Sequence, residues 1–400
     1  MSNVYERLGV RTIVNAKGPS TRLSGGNMRP EVVAAMAEAS GFCVDIAELQ
    51  ARAGAVIAAA TGAEAGYVTS GAAAALLLGT AACVTGLDPG RMNRLPALAG
   101  MRDQVLVARS QRNFYDHAVR AVGVELVEVG LADRFAGAGV RDAEAWEFAD
   151  AIGERTAAIL YVATPESRPR LSDVVRVARA RGVPVIVDAA AQLPPRANLR
   201  RFVAEGADLV AFSGGKAIGG PQASGILCGR RDLIMAAALQ HLDMDVIFAQ
   251  WSPPPSLIDK SLLPGAPQHG LGRPCKVGKE EIVGLITALE LFVAEGDEGP
   301  RARWLALCRE LVRAFEGLNH ASARLLDDPR RPVPMVELAL DEAAAQGALA
   351  LAKALQDGDP SIHVDPSRLD DNIVLFGPTC LRDGEPAIIA RRVRALLSGA

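Results

Sequence analysis

Short, unbroken apolar runs recur along the chain, each closing on a glycine, a small hydroxyl residue or a charge, and stretches of helical period separate them. Continuous rather than alternating apolar character is what a strand shows when helices cover both of its faces. This pattern predicts strands at Tyr67–Thr69, Gln104–Arg109, Glu125–Val129, Ala158–Ala163, Val183–Val187, Asp208–Phe212 and Gly225–Cys228. Between two of them Ser172–Arg181 has helical period, with Ser172 as a candidate cap before Asp173. Strand and helix alternating in this way predict an α/β fold with a mainly parallel seven-stranded sheet. Downstream, Pro253-Pro254-Pro255 and Leu263-Pro264-Gly265-Ala266-Pro267 predict an irregular connector. Lys279–Glu295 then reads as a long linking helix. The segment from Val333 onward reads as a small α/β domain, with strands near Val336–Leu340 and Ile373–Phe376 and a last helix at Glu385–Leu397. The expected division is a segment at 1–50, a large domain at 51–280, and the linking helix with the small domain at 281–400.

The strand ends carry the candidate chemistry, because open α/β sheets keep their ligands outside the carboxyl ends of the strands. After Leu209–Phe212 come Ser213, Gly214, Gly215 and then Lys216, followed by Gly219-Gly220-Pro221. Glycines allow close backbone approach, Ser213 offers a hydroxyl for an anionic group, and desolvation at a strand end lowers a lysine pKa toward the neutral amine that reacts with a carbonyl. Lys216 is thus either a Schiff-base lysine or a surface turn lysine. Upstream, Val183–Val187 runs into Asp188, which either faces a cationic partner or caps the following helix. Farther upstream, Gly66-Tyr67-Val68-Thr69-Ser70-Gly71-Ala72 reads as a strand, a Ser-Gly turn and the start of an Ala-rich helix. A small-residue helix N-terminus binds phosphate through free N–H groups and the positive end of the dipole, and a serine cap on a buried helix has the same appearance.

Taken in order, phosphate cradle, aspartate and lysine each stand at the end of an apolar strand, and here the chain resembles a known family. It is similar to the fold-type I pyridoxal phosphate enzymes, within them the selenocysteine synthase-like group that includes D-glucosaminate-6-phosphate ammonia-lyase. The resemblance runs from Leu8–Ala16 through Val185–Ala191 and the lysine segment to Gly272–Leu285. It implies an aminotransferase-like large domain with a smaller C-terminal one, and pyridoxal 5'-phosphate as cofactor. It also implies that Lys216 is the aldimine lysine, Asp188 the partner of the pyridinium nitrogen, and Ser70, Gly71, Ala72 and Ser213 phosphate contacts. In Arg112–His117 it places Tyr115 or His117 as the group that stacks on the cofactor ring, with a helix-capping histidine as the other reading of His117. Thr164 is a candidate partner of the cofactor's phenolic oxygen, or simply begins the turn into Pro165. Arg22, Arg273 and Lys276 are candidate anion clamps for a substrate carboxylate, Arg by its bidentate fork, or surface ion-pair residues.

Composition narrows the partners. The 400 residues are half hydrophobic but only 4% aromatic, and the net charge is −3, so neither stacking platforms nor a basic excess favour a nucleic-acid partner. The six cysteines show no C-x-x-C spacing, which favours reduced thiols in the cytoplasm over a disulfide framework or a metal site. Neither a signal pattern nor a run of transmembrane length is present, so no membrane association is expected. A nicotinamide enzyme is excluded by the lack of a G-x-G-x-x-G between the first strand and helix. No histidine follows Asp188 closely in Asp188-Ala189-Ala190-Ala191-Gln192, which disfavours the sulfur-transfer and transaminase branches of the fold. What the resemblance then implies is a lyase of the ammonia-lyase or β-elimination type. The expected substrate is a polar or hydroxy amino acid or an amino-sugar acid, and Lys216 is the base. A racemase, an aldolase, a transferase or a non-catalytic member of the fold remain open, and at least a homodimer is expected.

Overall fold

The computed structural model describes residues 3–131, 142–328 and 331–398. Two compact units emerge, residues 28–293 and residues 1–27 together with 294–400. The smaller unit takes the first strand, β1 (Ile13–Ala16). The larger one contains β2 (Ala65–Thr69), β3 (Gln104–Ala108), β4 (Glu125–Val129), β5 (Thr156–Val162), β6 (Val185–Asp188), β7 (Leu209–Ser213) and β8 (Gly225–Gly229). These form one sheet in the order β2-β8-β7-β6-β5-β3-β4, in which β8 is antiparallel to both neighbours and every other pair is parallel.

Both faces of this sheet are buried, which is why its strands read as unbroken apolar runs. Leu106, Ile159, Val187 and Val210 join a core with the helices Ile46–Thr61, Leu171–Ala180, Asn198–Ala204 and Lys279–Glu295. Val105, Leu160, Ile186 and Leu209 face the other way, into a core with Ala72–Thr85 and Arg231–His241. The Ala-rich character of Ala72–Thr85 follows from this position, since small side chains let the helix lie close on the sheet and Gly79 lies directly over Leu209. In the smaller unit β9 (Ala321–Leu326), β10 (Met335–Leu340) and β12 (Ile373–Phe376) form an antiparallel sheet. There β1 pairs in parallel with β11 (Ser361–Val364), over a core that includes Leu311, Phe315, Phe376 and Ile389. Among the described residues no helix is long and apolar enough to cross a membrane.

All seven strands expected in the large sheet are present, with ends shifted by a residue or two, and Lys279–Glu295 and Glu385–Leu397 form helices as read. Ser172 is not a cap: the helix starts at Leu171, with Arg170 in the cap position, because starting there buries Leu171 on the same face as Val174, Val175 and Ala178. The sequence division at 50 and 280 differs from the contact division at 27 and 293. The physical reason at the amino end is the β1–β11 pairing, which ties residues 13–16 to residues 361–364. At the other end, Ile282, Leu285 and Leu289 bury the long helix in the core of the large unit.

Candidate active site

Strands β2, β3, β5, β6 and β7 point the same way, so their carboxyl ends share one edge of the sheet. Lys216 stands just past the end of β7, on a tight loop. Gly214 N–H donates to Ser224 O at 2.9 Å, Gly220 N–H to Gly214 O at 2.9 Å, and Gly219 N–H, at a residue with φ +76°, to Lys216 O at 3.0 Å. Close packing explains the two glycines before the lysine. A Cβ on Gly214 would stand 2.3 Å from Ser224 Oγ and 2.5 Å from Leu285 Cδ1, and one on Gly215 2.7 Å from Gln222 Cα. The long helix thus presses directly on the lysine loop.

On the neighbouring strand Asp188 pairs with Ala211 of β7, and the carboxylate is buried, with Oδ1 accepting from Ala190 N–H at 3.0 Å. Burial pushes the Asp188 carboxyl above the usual carboxylate range; the Ala190 N–H and the Lys216 ammonium oppose this, and the charge of Asp116 adds to it. Burial likewise pushes Lys216 below the usual lysine value, against the pull of Asp188. Each group is thus less charged than it would be in water.

Asp116, although between the candidates Tyr115 and His117, escaped the sequence reading, as did Gln111. Asp116 opens a short helix after β3, is buried, and receives Arg112 Nε on Oδ2, while its Oδ1 has no hydrogen-bond partner. Arg112 also holds Glu128 of β4. Buried Gln111 ties this loop to the end of β5, accepting from Val162 N–H at 2.9 Å and donating to Arg168 O at 3.2 Å. A carboxylate in a polar-looking stretch of loop has no pattern by which sequence alone marks it as buried.

At the end of β2 the chain turns through Ser70 and Gly71, the latter at φ +131°, into Ala72–Thr85, whose N-terminus has no side-chain cap. A Cβ on Gly71 would meet open space, whereas one on Gly225 of β8 would lie 2.5 Å from Gly71 C and 2.7 Å from Ala72 N. The amides at the start of this 14-residue helix have no side-chain cap, which makes the turn a favourable place for an anion. Ser70 Oγ, expected on a phosphate, instead donates to Cys275 O at 2.7 Å. The same carbonyl lies 3.0 Å from His241 Nε2, whose Nδ1 lies 2.8 Å from Tyr67 OH. Burial pushes His241 below the usual histidine value, which agrees with a neutral ring that donates to Cys275 O and accepts from Tyr67. This chain of bonds, also unseen in the sequence, pins the 273–276 segment beside the cradle.

Comparison with known proteins converges on the same frame. Residues 115–245 match the family model described as SelA, L-seryl-tRNA selenium transferase. The chain is 34% identical to a 5'-C-glycyluridine monooxygenase-decarboxylase of Streptomyces sp over 98% of its length and 92% of that protein. It is 31% identical to the D-glucosaminate-6-phosphate ammonia lyase of Salmonella typhimurium (strain 14028s / SGSC 2262), over 98% of each. A solved structure of D-glucosaminate-6-phosphate ammonia-lyase superposes with a TM-score of 0.82 at 29% identity, over 100% of this chain and 99% of that one. The chain belongs to the selenocysteine synthase-like group of fold-type I pyridoxal phosphate enzymes. Its cofactor is pyridoxal 5'-phosphate.

The residues present fit that group. An uncapped helix N-terminus suits its phosphate, a buried carboxylate with raised pKa suits its ring nitrogen, and a lysine with lowered pKa suits its carbonyl carbon. Ser213 is half-buried at the end of β7. Thr164 follows β5 but is exposed, its hydroxyl 3.0 Å from Ser167 Oγ and accepting from Glu166 N–H at 3.2 Å, the bonds of a turn. Tyr115 and His117 are exposed beside Phe114, which is 95% exposed. Arg273 is partnered by Asp243, at 2.8 Å, and Lys276 is exposed. Arg22 belongs to the smaller unit.

Proposed function

We propose that this enzyme is a lyase that releases ammonia from a polar or hydroxy amino acid, most specifically an amino-sugar acid, leaving a 2-oxo acid. The observation that carries the reading is the Lys216–Asp188 pair, a lysine driven toward the neutral amine beside a carboxylate placed to hold a ring-nitrogen proton. When bound, pyridoxal phosphate supplies an electron sink for charge that develops at the substrate's α-carbon. Asp188 holds the proton on its ring nitrogen. Lys216 Nζ, pushed toward the neutral amine by burial, takes the α-proton and returns a proton to the departing β-hydroxyl, so that water leaves in the elimination and re-enters when the C–N bond is hydrolysed. The similarity to D-glucosaminate-6-phosphate ammonia lyase supports the amino-sugar acid class.

In this reading the amides of Gly71 and Ala72 and the group at Ser213 hold the cofactor phosphate, with Ser70 contributing its N–H. Thr164 adjoins the phenolic oxygen, Tyr115 or His117 covers the ring, and Arg273 and Lys276 take the substrate's anionic groups. The exposed pair Phe114 and Tyr115, on the loop that follows β3, supports at least a homodimer in which a second copy covers them. Six free thiols support residence in the cytoplasm. The test is a screen of D- and L-amino acids and amino-sugar acids for ammonia and 2-oxo acid, with Lys216→Ala as control. Stoichiometric release of both from one compound class is the expected result. Racemisation without ammonia, or carbon dioxide release with oxygen consumption, as the name of the Streptomyces relative would suggest, overturns the reading.

A further inference from the structure

The smaller unit contains a cleft of its own, with a volume of about 460 Å³, lined among others by Arg11, Asn15, Arg22, Ser24, His363 and Arg382. Its charge is unbalanced. Glu385 is the one carboxylate among the lining residues, and it is taken by Arg382, through Nε at 3.0 Å and the backbone N–H at 2.8 Å. Among the described residues Arg22 and the neighbouring Lys17 have no side-chain partner, and Arg11 donates only to the carbonyl of Gly358, at 3.2 Å. The chain as a whole is acidic, with net charge −3, so a cleft lined by two uncompensated arginines, with Lys17 close by in sequence, is not the overflow of a basic protein.

Local structure holds these cations around one space. Asn15, buried on β1 and paired in register with His363 of β11, accepts from Lys17 N–H and Gly18 N–H at 3.1 Å each and donates to Gly18 O at 3.2 Å. The following turn, with Ser24 at φ +64° and Gly25 at φ +76°, ends the short 3-10 helix that presents Arg22. His363 is half-buried, with Ser361 Oγ 3.3 Å from Nε2. Burial pushes its pKa below the usual histidine value, and Arg22, Arg11 and Lys17 push it further the same way. One-signed walls of this kind focus potential and concentrate an anion of opposite sign.

We infer that this cleft binds the phosphate group of a small phosphorylated ligand, with Arg11 and Arg22 as its counter-charges. Two arginines match a dianion with three acceptor oxygens better than a monocarboxylate, which one Arg satisfies bidentately. The dianion also opposes the charge that Arg22, Arg11 and Lys17 add to burial in lowering the His363 pKa, so ligand entry shifts His363 toward proton uptake. The other charged groups facing it, Arg382 and Glu385, neutralise each other and leave that sign unchanged.

The test is calorimetric titration of the holoenzyme with inorganic phosphate, glycerol 3-phosphate, glycerol and acetate at constant ionic strength, in two buffers of different ionisation enthalpy. Using the holoenzyme keeps the cofactor cradle filled. Saturable binding of both phosphates is expected, with glycerol and acetate silent, a loss of about tenfold or more in Arg22→Ala, and a similar loss in Arg11→Ala. His363→Gln is expected to bind phosphate while losing the proton uptake. Inorganic phosphate binding as tightly as glycerol 3-phosphate marks a site for the free ion; tighter glycerol 3-phosphate marks one for a phosphorylated metabolite. Acetate binding as well as phosphate, no saturable phosphate binding, or affinity unchanged in both arginine variants overturns the assignment.

Discussion

At the carboxyl edge of the large sheet a single lysine shares a buried site with Asp188, and Asp188 feels a second buried carboxylate, Asp116. In the cleft of the smaller unit two cations, Arg11 and Arg22, face no free carboxylate among the lining residues. The first region tunes ionisation by desolvation: each group is pushed toward its neutral form, the state in which an amine attacks a carbonyl or removes a proton. The second presents exposed guanidinium groups, Arg11 and Arg22, an arrangement that suits capture of an anion. Burial thus separates a region that can do chemistry from one that can only hold, and the two respond differently to mutation, pH and salt.

The largest effect falls on the buried side. Lys216→Ala removes both the anchoring amine and the base, so turnover drops by about 10²–10⁴-fold or more, while the circular dichroism spectrum stays that of the wild type because a loop lysine packs little. Full activity in this variant would make the two regions equivalent.

Asp188→Asn is expected to act with opposite signs on the two forms of the protein. In the holoenzyme it removes the charge that holds the ring-nitrogen proton, and turnover falls by orders of magnitude with a smaller loss of cofactor affinity. In the cofactor-free protein Asp188 is a carboxyl whose folded pKa lies above its unfolded value. The folded state then binds the proton more tightly, its stability falls as pH rises through the window between the two values, and the full penalty persists above it. Above that window, apo Asp188→Asn melts higher than apo wild type. A lower melting temperature for the apo variant would show that Asp188 is stabilised as an ion, contrary to its burial.

A steric change probes the same edge without touching charge. Gly225→Ala puts a Cβ against the backbone of Gly71 and Ala72, at a cost of about 1–3 kcal/mol, and weakens cofactor binding measured by fluorescence titration. Unchanged affinity would place the phosphate elsewhere than at this helix N-terminus.

Salt gives the smallest and most discriminating contrast. Raising ionic strength from low to about 0.5 M screens the exposed cations and weakens phosphate binding in the cleft several-fold, yet leaves the absorbance titration of the Lys216-bound cofactor nearly in place, since buried pairs are screened less. Equal sensitivity of both would erase the distinction.

Much of the large unit could be read from the chain because its strands are buried on both faces and so show unbroken apolar runs, and because its chemistry stands at their ends. That rule marks Lys216, Asp188 and the Ser70–Ala72 turn as candidates, and each stands at or just past the end of a strand. The smaller unit was less legible. Strand β1 pairs with β11 across almost the whole chain, and no local pattern announces a partner at that distance. Strand β9 is only half-buried and carries Arg324, held by Glu337, so it lacks an apolar run. In the site itself, the missed groups are polar residues buried by their neighbours: Asp116, Gln111 and the Tyr67–His241–Cys275 chain. Arg273, which the sequence leaves as either a clamp or an ion-pair residue, has Asp243 at 2.8 Å, a partner no local pattern announces.

The central claim is that Lys216 alone holds the cofactor. The chain has few lysines, so borohydride reduction of the holoenzyme followed by peptide mass mapping decides it. The account predicts a reduced pyridoxyl group on the Lys216 peptide and none on Lys17, Lys260, Lys276, Lys279 or Lys353. A pyridoxyl group on any of those five, or no adduct in cofactor-saturated wild type, would contradict it.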